Sequence, residues 1–244
     1  MHRFYADERG VNGEIAFLCE EDARHAARVL RMRQGEACEL FADGRRFSGE
    51  IASIGDGEVS VRITGEMAST EAKLRITLYQ GLPKADKMEL IVQKATELGA
   101  CTVVPVAMSR CVVQLDAKDG RKKQERWQKI AREACKQSGR CEMMQVTEPI
   151  SFRQLLSKLP EHGAAIVPWE DAQGYSLAKF HAEHPDITDL AIVIGPEGGM
   201  SKDEVARMKD ANCRSVTLGP RILRTETAGL CAMSALFCLY GDME

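Results

Sequence analysis

Residues 191–200 read AIVIGPEGGM, an apolar run that ends in a glycine-rich loop with Glu197 at its centre. Short apolar runs that end at Gly or Pro are typical of strands buried on both faces of a parallel sheet. Directly after the loop, Ser201 and Glu204 stand at the spacing of a capping box, which predicts the start of a helix. The stretch indicates one strand, loop and helix of an α/β sheet, in which ligands bind beyond the carboxyl ends of the strands.

The same alternation extends over residues 74–244. Further strands are predicted in LRITLYQ, CTVVPVA, AAIVP and SVTLG. A helix is predicted in DKMELIVQKATELG, with Gly99 as its stop signal. Its apolar stripe consists of Met88, Ile91, Val92, Ala95 and Leu98. A second, basic helix has its inward-facing residues at Trp127, Ile130, Ala131 and Ala134. We therefore expect an α/β domain with a mostly parallel sheet.

A second loop, LGPRILRTETAG at residues 218–229, follows another predicted strand. Gly219-Pro220 turns the chain there, and Thr225 or Thr227 is predicted to cap the last helix. Two such loops that lead into two helices place several free backbone N–H groups around one pocket.

Residues 1–70 have a different pattern. Short strands with turn signals at Asp43-Gly44 and at residues 55–57 predict a small β-barrel or half-barrel, a shape that often binds RNA. One short helix is expected from Glu20 to Leu30. The polar stretch EMASTEAK at residues 66–73 is the predicted linker, so the sequence suggests one domain over residues 1–70 and a second over 74–244.

Composition limits the classes of function. The 244-residue chain has no run of eighteen apolar residues and no apolar signal-peptide core, so we expect a cytoplasmic protein without a membrane partner. Its nine cysteines include no C-x-x-C pair and are interpreted as reduced, small buried residues. The five histidines are not at zinc spacing, so no metal site is predicted.

The formal net charge of −3 conceals two basic segments. Residues 121–140 hold eight Lys or Arg and two Glu, a local charge of 8 − 2 = +6, and residues 24–33 hold four Arg and no acid. Such segments can present a positive face to a polyanion such as RNA, although a solvated helix face is the alternative.

The glycine-rich loops contain neither a P-loop lysine nor a G-x-G-x-x-G fingerprint. Glu197 would repel a polyphosphate but not an adenosine with a cationic or zwitterionic tail. S-adenosylmethionine is such a molecule, and a plain connecting turn is the alternative interpretation.

Six stretches, in this order along the chain, resemble one family. They are RFY (3–5), HAARVLRMRQG (25–35), KADKMELIVQKATELGA (84–100), RWQKIAREACKQSGR (126–140), IGPEGGMSKDE (194–204) and LGPRILRTETAG (218–229). The last two resemble the C-terminal motifs of the SPOUT superfamily of methyltransferases. Together the six resemble the RsmE family, which methylates N3 of a uridine in 16S ribosomal RNA. One departure is Met144, near where the family usually has a proline.

The resemblance implies a PUA-like RNA-binding barrel followed by a SPOUT domain, an α/β sheet with helices on both faces and a deep trefoil knot. It implies a homodimer that methylates 16S rRNA of the small ribosomal subunit (uridine 1498 in standard rRNA numbering), with S-adenosyl-L-methionine as cofactor. Carried over residue by residue, the cofactor-binding positions are Pro168, Trp169, Ile194, Gly195, Pro196, Gly198, Gly199, Leu218, Gly219, Ile222, Leu223, Arg224 and Thr227.

Methylation at N3 requires the N3 proton to leave and the charge of the uridinate to be stabilised. Arg224 is predicted to hold that charge, the alternative being an arginine paired with Glu226 or Glu197. Glu197 and Glu226 are the candidate bases, the alternative being acids favoured by helix N-termini. The target base is expected to turn out of the RNA into the pocket.

Basic residues are expected to contact the RNA backbone, with plain solvent exposure as the alternative for each. They are Arg24, Arg28, Arg31, Arg45, Arg46, Lys84, Lys87, Lys94, Arg121, Lys122, Arg126, Arg132 and Arg140. Two rival functions remain open: a non-catalytic RNA-binding relative, and a SPOUT methyltransferase that acts on another rRNA position or on transfer RNA.

Overall fold

The computed structural model describes residues 1–243, which divide into two compact units. The first unit comprises Met1–Glu71 together with Cys135–Met143. The second comprises Ala72–Ala134 and the described chain from Met144 onward. No helix within the described range is long and apolar enough to cross a membrane.

The first unit is a closed five-stranded barrel. Its strands are β1 (His2–Asn12), β2 (Ile15–Leu18), β3 (Ala37–Ala42), β4 (Arg45–Gly55) and β5 (Glu58–Met67). The strand order is β1-β2-β5-β4-β3, and β3 closes the barrel by pairing with β1 in parallel. The predicted barrel is confirmed, and so are the two hairpin turns, because Asp43 and Asp56 both adopt positive φ angles.

Local structure in this unit differs from the prediction at three places. The strand β1 was not predicted, because seven of its eleven residues are polar or glycine and only Phe4, Tyr5 and Gly10 are buried. The predicted helix is split into α1 (Glu20–Arg24) and one π-helical turn at His25–Val29. The predicted linker starts too early, because Met67 still pairs with Arg46 and so extends the β4–β5 ladder.

The second unit contains a seven-stranded sheet in which every pairing is parallel. Its strands are β6 (Arg75–Gly81), β7 (Thr102–Ala107), β8 (Gln145–Val146), β9 (Ile150–Ser151), β10 (Ala164–Pro168), β11 (Asp189–Ile194) and β12 (Cys213–Val216). The order is β12-β10-β11-β6-β7-β8, with β9 paired to β7. The helices are α2 (Lys87–Leu98), α3 (Ala117–Ser138), α4 (Phe152–Lys158), α5 (Leu177–Glu183), α6 (Lys202–Asp210) and α7 (Thr225–Leu239), and the last four residues of α3 already belong to the first unit.

Helices cover both faces of this sheet. On one face, Val167 and Val193 share a buried cluster with Met208 of α6. Because side chains alternate along a strand, Ile194 points to the opposite face. There its Cγ1 lies 3.4 Å from the position of a Cβ on Gly229 of α7. The predicted α/β fold class is therefore confirmed, with a sheet that is wholly parallel; the threading of the loops is not defined by strand order, so the knot stays a prediction.

Helix ends follow the sequence in some places and not in others. Helix α2 ends before Gly99 as predicted, and the capping box of Ser201 and Glu204 is present at the start of α6. The predicted cap of the last helix is wrong: its N-cap is Arg224, and neither Thr225 nor Thr227 caps it. The hydroxyl of Thr225 forms a tertiary hydrogen bond instead.

Two further expectations concern buried side chains. No disulfide joins the nine cysteines within residues 1–243, and four of them are buried as expected, but Cys231 and Cys238 are exposed on α7. Met144, at the departure from the family pattern, is only 1% exposed, and its sulfur accepts a hydrogen bond from Thr96. Met144 is therefore a core residue of the second unit.

Candidate functional site

Two adjoining pockets lie at the carboxyl ends of β10, β11 and β12. The first, of about 390 Å³, is lined by residues 168–170, 172–174 and 217–223. The second, of about 490 Å³, is lined by residues 194–200 and 222–225 with Lys87. They share a wall made of Pro168, Glu170, Ile222, Leu223 and Ala228. We call the two together the loop pocket.

The structure brings twelve of the thirteen predicted cofactor positions together around the loop pocket. The exception is Thr227, which lines neither part and is exposed on the first turn of α7. The carboxyl ends of parallel strands meet at one edge, which is why two loops far apart in sequence converge here.

A buried chain of hydrogen bonds fixes the two loops relative to β6. The amide nitrogen of Gln80, a residue with no exposed surface, donates to the Thr225 hydroxyl at 2.8 Å. That hydroxyl donates to the Gly195 carbonyl at 2.6 Å. The start of α7 is therefore tied to the glycine-rich loop after β11 through a side chain of the neighbouring strand.

Lys87 joins the two carboxylates that were predicted as candidate bases. Its ammonium lies 3.0 Å from the Glu197 carboxylate and 3.2 Å from that of Glu226. Partial burial raises the pKa of Glu197, but hydrogen bonds from its own N–H, the Lys84 N–H and Lys87 outweigh this and hold the pKa below its usual value. The pKa of Glu226 is lowered by its own backbone N–H and by Lys87. Both are therefore weak proton acceptors.

Arg224 lies beside this cluster and remains open to solvent. Its guanidinium is 4.0 Å from the Glu226 carboxylate, while 83% of its side chain is exposed. An ion pair of that length at the surface contributes little to stability. The arginine is thus available to a ligand at the mouth of the loop pocket.

Sequence reasoning missed Glu170, although it directly follows Trp169 at the end of β10. Its carboxylate lies in the shared wall, 3.2 Å from the position of a Cβ on Gly199. Among residues 1–243, no cation lies within ion-pair distance of it. A carboxylate without a cationic partner in a pocket wall can bind a positively charged ligand group.

Sequence reasoning also missed Arg110, in the loop after β7. Its Nη1 donates to the Gly198 carbonyl at 3.0 Å, so this loop contacts the glycine-rich turn. The sequence did contain a signal for Arg110, because it follows the predicted strand CTVVPVA, which ends at Ala107.

Eleven of the thirteen predicted RNA-contacting residues fall into three groups. Arg28, Arg31, Lys84 and Lys122 are exposed. Others are exposed or half-buried in pairs with nearby acids: Arg24 with Glu20, Arg45 with Glu66, Lys94 with Glu97, Arg121 with Glu148, and Arg126 with Glu89. Lys87 faces the loop pocket, and Arg132 is half-buried in α3.

The two remaining residues pair with acids, and the structure corrects the prediction for Arg140. Arg140 is 3% exposed and pairs with Glu71 at 2.5 Å, so it is a buried structural arginine that RNA cannot reach. Arg46 has 19% of its side chain exposed and pairs with Glu39 at 2.8 Å. Their acidic partners come from other strands or segments, which is why local charge counting overestimated the basic surface.

Comparison with known proteins identifies the family of the chain. A family model described as RNA methyltransferase domain matches residues 70–237, and one described as RNA methyltransferase PUA domain matches residues 18–64. Fold and site thus define an RNA methyltransferase with a PUA domain. The ribosomal RNA small subunit methyltransferase E of Bacillus subtilis is 41% identical over 224 residues, which are 88% of this chain and 87% of the relative.

Two further relatives have the same name. The protein from Aquifex aeolicus is 33% identical over 97% of this chain and 99% of its own. A crystal structure of the protein from Neisseria gonorrhoeae, bound to S-adenosyl methionine, is 33% identical, with a TM-score of 0.82 and 98% of both chains covered. The chain belongs to the ribosomal RNA small subunit methyltransferase E family, and the resemblance found in its sequence is confirmed.

Proposed function

We propose that this protein transfers a methyl group from S-adenosylmethionine to N3 of a uridine in 16S ribosomal RNA, at uridine 1498 in standard numbering. The observation that carries the proposal is the loop pocket, in which two glycine-rich loops and the start of α7 are held by the chain from Gln80 through Thr225 to Gly195. Relatives that align over 88% and 97% of the chain are named ribosomal RNA small subunit methyltransferase E, which supports the class of RNA substrate.

The residues of the loop pocket fit such a cofactor. Volumes of about 390 and 490 Å³ are in the range of small-molecule sites. Apolar side chains and backbone groups of residues 217–223 can enclose an adenosine, and Glu170 provides a negative charge without a cationic partner. When bound, S-adenosylmethionine supplies an electrophilic methyl group on a positively charged sulfur.

The chain's own residues orient and stabilise rather than form covalent bonds with substrate. Holding two reactants in line supplies a large part of the rate. The proposed role of Arg224, whose side chain is 83% exposed, is to stabilise the uridinate oxygens. Backbone N–H groups and Lys87 lower the pKa of Glu197 and Glu226, so neither carboxylate is a strong general base. We propose that the two carboxylates hold Lys87 and the loops in position.

Assembly and location belong to the same proposal. We assign RNA binding to the barrel over residues 1–70 and methyl transfer to the domain over residues 74–244, and we propose that the protein acts in the cytoplasm. The homodimer is supported by an apolar surface on α7 that holds the exposed Cys231 and Cys238. Leu90 of α2, a helix that packs against α7, is 44% exposed. Cys231→Glu should convert a dimer into monomers in sedimentation experiments, and an unchanged molar mass would remove this surface from the proposal.

The experiment that tests the activity compares 16S rRNA from cells with and without the protein. Nucleoside mass spectrometry should show that N3-methyluridine disappears from 16S rRNA without the protein and returns with the wild-type gene. Unchanged N3-methyluridine, or loss of a different modification, would contradict the proposed substrate position. Calorimetry without S-adenosylmethionine binding would instead favour a non-catalytic relative.

A further inference from the structure

Arg110 is an exposed arginine that the activity described so far does not use. It lies in the loop after β7, and its Nη1 donates to the Gly198 carbonyl at 3.0 Å. In contrast to Lys87 and Arg224, it has no carboxylate within 4.0 Å anywhere in residues 1–243. Its Nη1 and a Glu170 carboxylate oxygen lie 3.9 and 3.2 Å from the same point, the position of a Cβ on Gly199, so Glu170 is a nearby carboxylate beyond ion-pair distance.

The surrounding loop holds Arg110 in this position. The backbone N–H of the preceding residue, Ser109, donates to the Glu204 carboxylate at 2.8 Å. The other oxygen of Glu204 accepts from the N–H and the hydroxyl of Ser201, so one buried carboxylate joins the loop to the start of α6. Burial raises the pKa of Glu204, but these hydrogen bonds hold it below its usual value. The anchor therefore stays ionised at neutral pH.

Gly198 permits the close approach of the two backbones. A Cβ at this position would lie 3.1 Å from Arg110 Cβ and 3.2 Å from its carbonyl oxygen. Contacts that short are tighter than those of most side chains, so a larger residue would push the loops apart. The glycine thus permits the contact with Arg110 without any shift of the two loops, and a Cβ at this position would require the Arg110 loop to move by a few tenths of an ångström.

A guanidinium has five N–H donors in a fixed planar arrangement and is charged at every physiological pH. Only one donor is used for Gly198, and the exposed remainder can bind an anion with two parallel hydrogen bonds. The other cation at this turn, Lys87, is already neutralised by two carboxylates.

We propose that Arg110 is a substrate-binding residue that contacts an anionic oxygen of the RNA at the target uridine while it holds the Gly198 carbonyl. The inference rests on the proposed RNA substrate and deepens it. The oxygen can belong to a phosphate of the target nucleotide or to the uracil ring as its N3 proton leaves, and a guanidinium stabilises either charge in the same way.

The test compares Arg110→Ala and Arg110→Lys with a matched control, Arg153→Ala. Arg153 is an exposed arginine of α4 that lines neither part of the loop pocket. For each variant, S-adenosylmethionine affinity is measured by calorimetry, the affinity for 16S rRNA transcribed in vitro is measured against salt concentration, and kcat and KM are measured against pH.

We expect S-adenosylmethionine affinity to change less than about twofold in Arg110→Ala, because the glycine loop retains its other contacts. If the oxygen belongs to a phosphate, RNA affinity falls about tenfold and the slope of its salt dependence decreases by about one, with partial rescue by Lys. If it belongs to uracil, kcat falls about 10²-fold and the pH–rate profile shifts to higher pH, while RNA affinity changes little.

Two results would overturn the inference. One is an Arg110→Ala variant whose RNA affinity and kcat equal those of the control variant Arg153→Ala. The other is a variant whose defect is confined to S-adenosylmethionine affinity and disappears at saturating cofactor, which would make Arg110 a structural support of the turn. Failure of the proposed function is separate, since the wild-type protein itself would then transfer no methyl group to this RNA.

Discussion

Gly81, the last residue of β6, allows the glycine-rich loop to approach the neighbouring strand. A Cβ on Gly81 would lie 2.7 Å from the Pro196 nitrogen, 2.8 Å from its Cδ and 3.0 Å from the Gly195 carbonyl carbon. These atoms belong to the backbone or to a ring fixed to it, so none can rotate away. We predict that Gly81→Ala strains or displaces the loop of the pocket.

The expected magnitude follows from the overlap. Overpacking of this kind costs about 1–3 kcal/mol. If the loop stays in place, the free energy of unfolding falls by that amount and the melting temperature by about 2–12 °C for a chain of this size. If the loop moves, binding must restore it, and S-adenosylmethionine affinity falls by about 5- to 150-fold.

Calorimetry on the wild type and on the variant measures both quantities, and Gly55→Ala serves as the control. A Cβ on Gly55 would meet no atom within 4 Å, so the control should keep both the stability and the cofactor affinity of the wild type. If Gly81→Ala matches Gly55→Ala in melting temperature and in dissociation constant, the close approach does not shape the pocket and the reasoning is refuted.

Three further predictions concern charged side chains. Arg140→Ala leaves Glu71 without its buried partner and should lower the free energy of unfolding by about 3–5 kcal/mol in urea titrations; a change below 1 kcal/mol would contradict its structural role. Glu204→Gln should lower the free energy of unfolding by about 1–3 kcal/mol at pH 7. That difference should shrink as the pH falls below about 4.3, because the folded carboxyl has the lower pKa and loses its advantage on protonation; a pH-independent difference would contradict this. Glu170→Gln should weaken S-adenosylmethionine binding by about 2- to 5-fold, and equal binding in calorimetry would remove Glu170 from the site.

The parts of the fold that could be predicted are those that neighbouring residues encode. The capping box at Ser201 and the end of α2 before Gly99 depend on residues within one helical turn. The apolar runs of the parallel sheet are visible because both faces of those strands are buried. In contrast, β1 has mostly polar residues and becomes a strand only because β2 and β3 offer pairing edges.

The sequence predicted the loops of the candidate site better than it predicted which charged residues form ion pairs. The glycine-rich motifs mark the carboxyl ends of strands, and the structure collects them around one pocket. The ion pairs join residues far apart in sequence: Lys87 pairs with Glu197 and Glu226, and Arg140 with Glu71. No local pattern encodes which of several basic residues will find such a partner, so the sequence overestimated the number of cations open to RNA.

The carboxylate in the glycine-rich loop therefore has a different meaning from the one its sequence suggested. Glu197 does not stand as a bare negative charge, because it accepts from the Lys84 N–H and pairs with Lys87. Its compensated charge ties the loop after β11 to the start of α2, and by itself it would repel a polyphosphate only weakly. Within residues 1–243, Glu170 in the shared wall is the pocket carboxylate without an ion pair, so we attribute the proposed binding of a cationic ligand to the end of β10. Glu197 instead stabilises the shape of the glycine-rich loop, in which the Gly198 carbonyl accepts a hydrogen bond from Arg110.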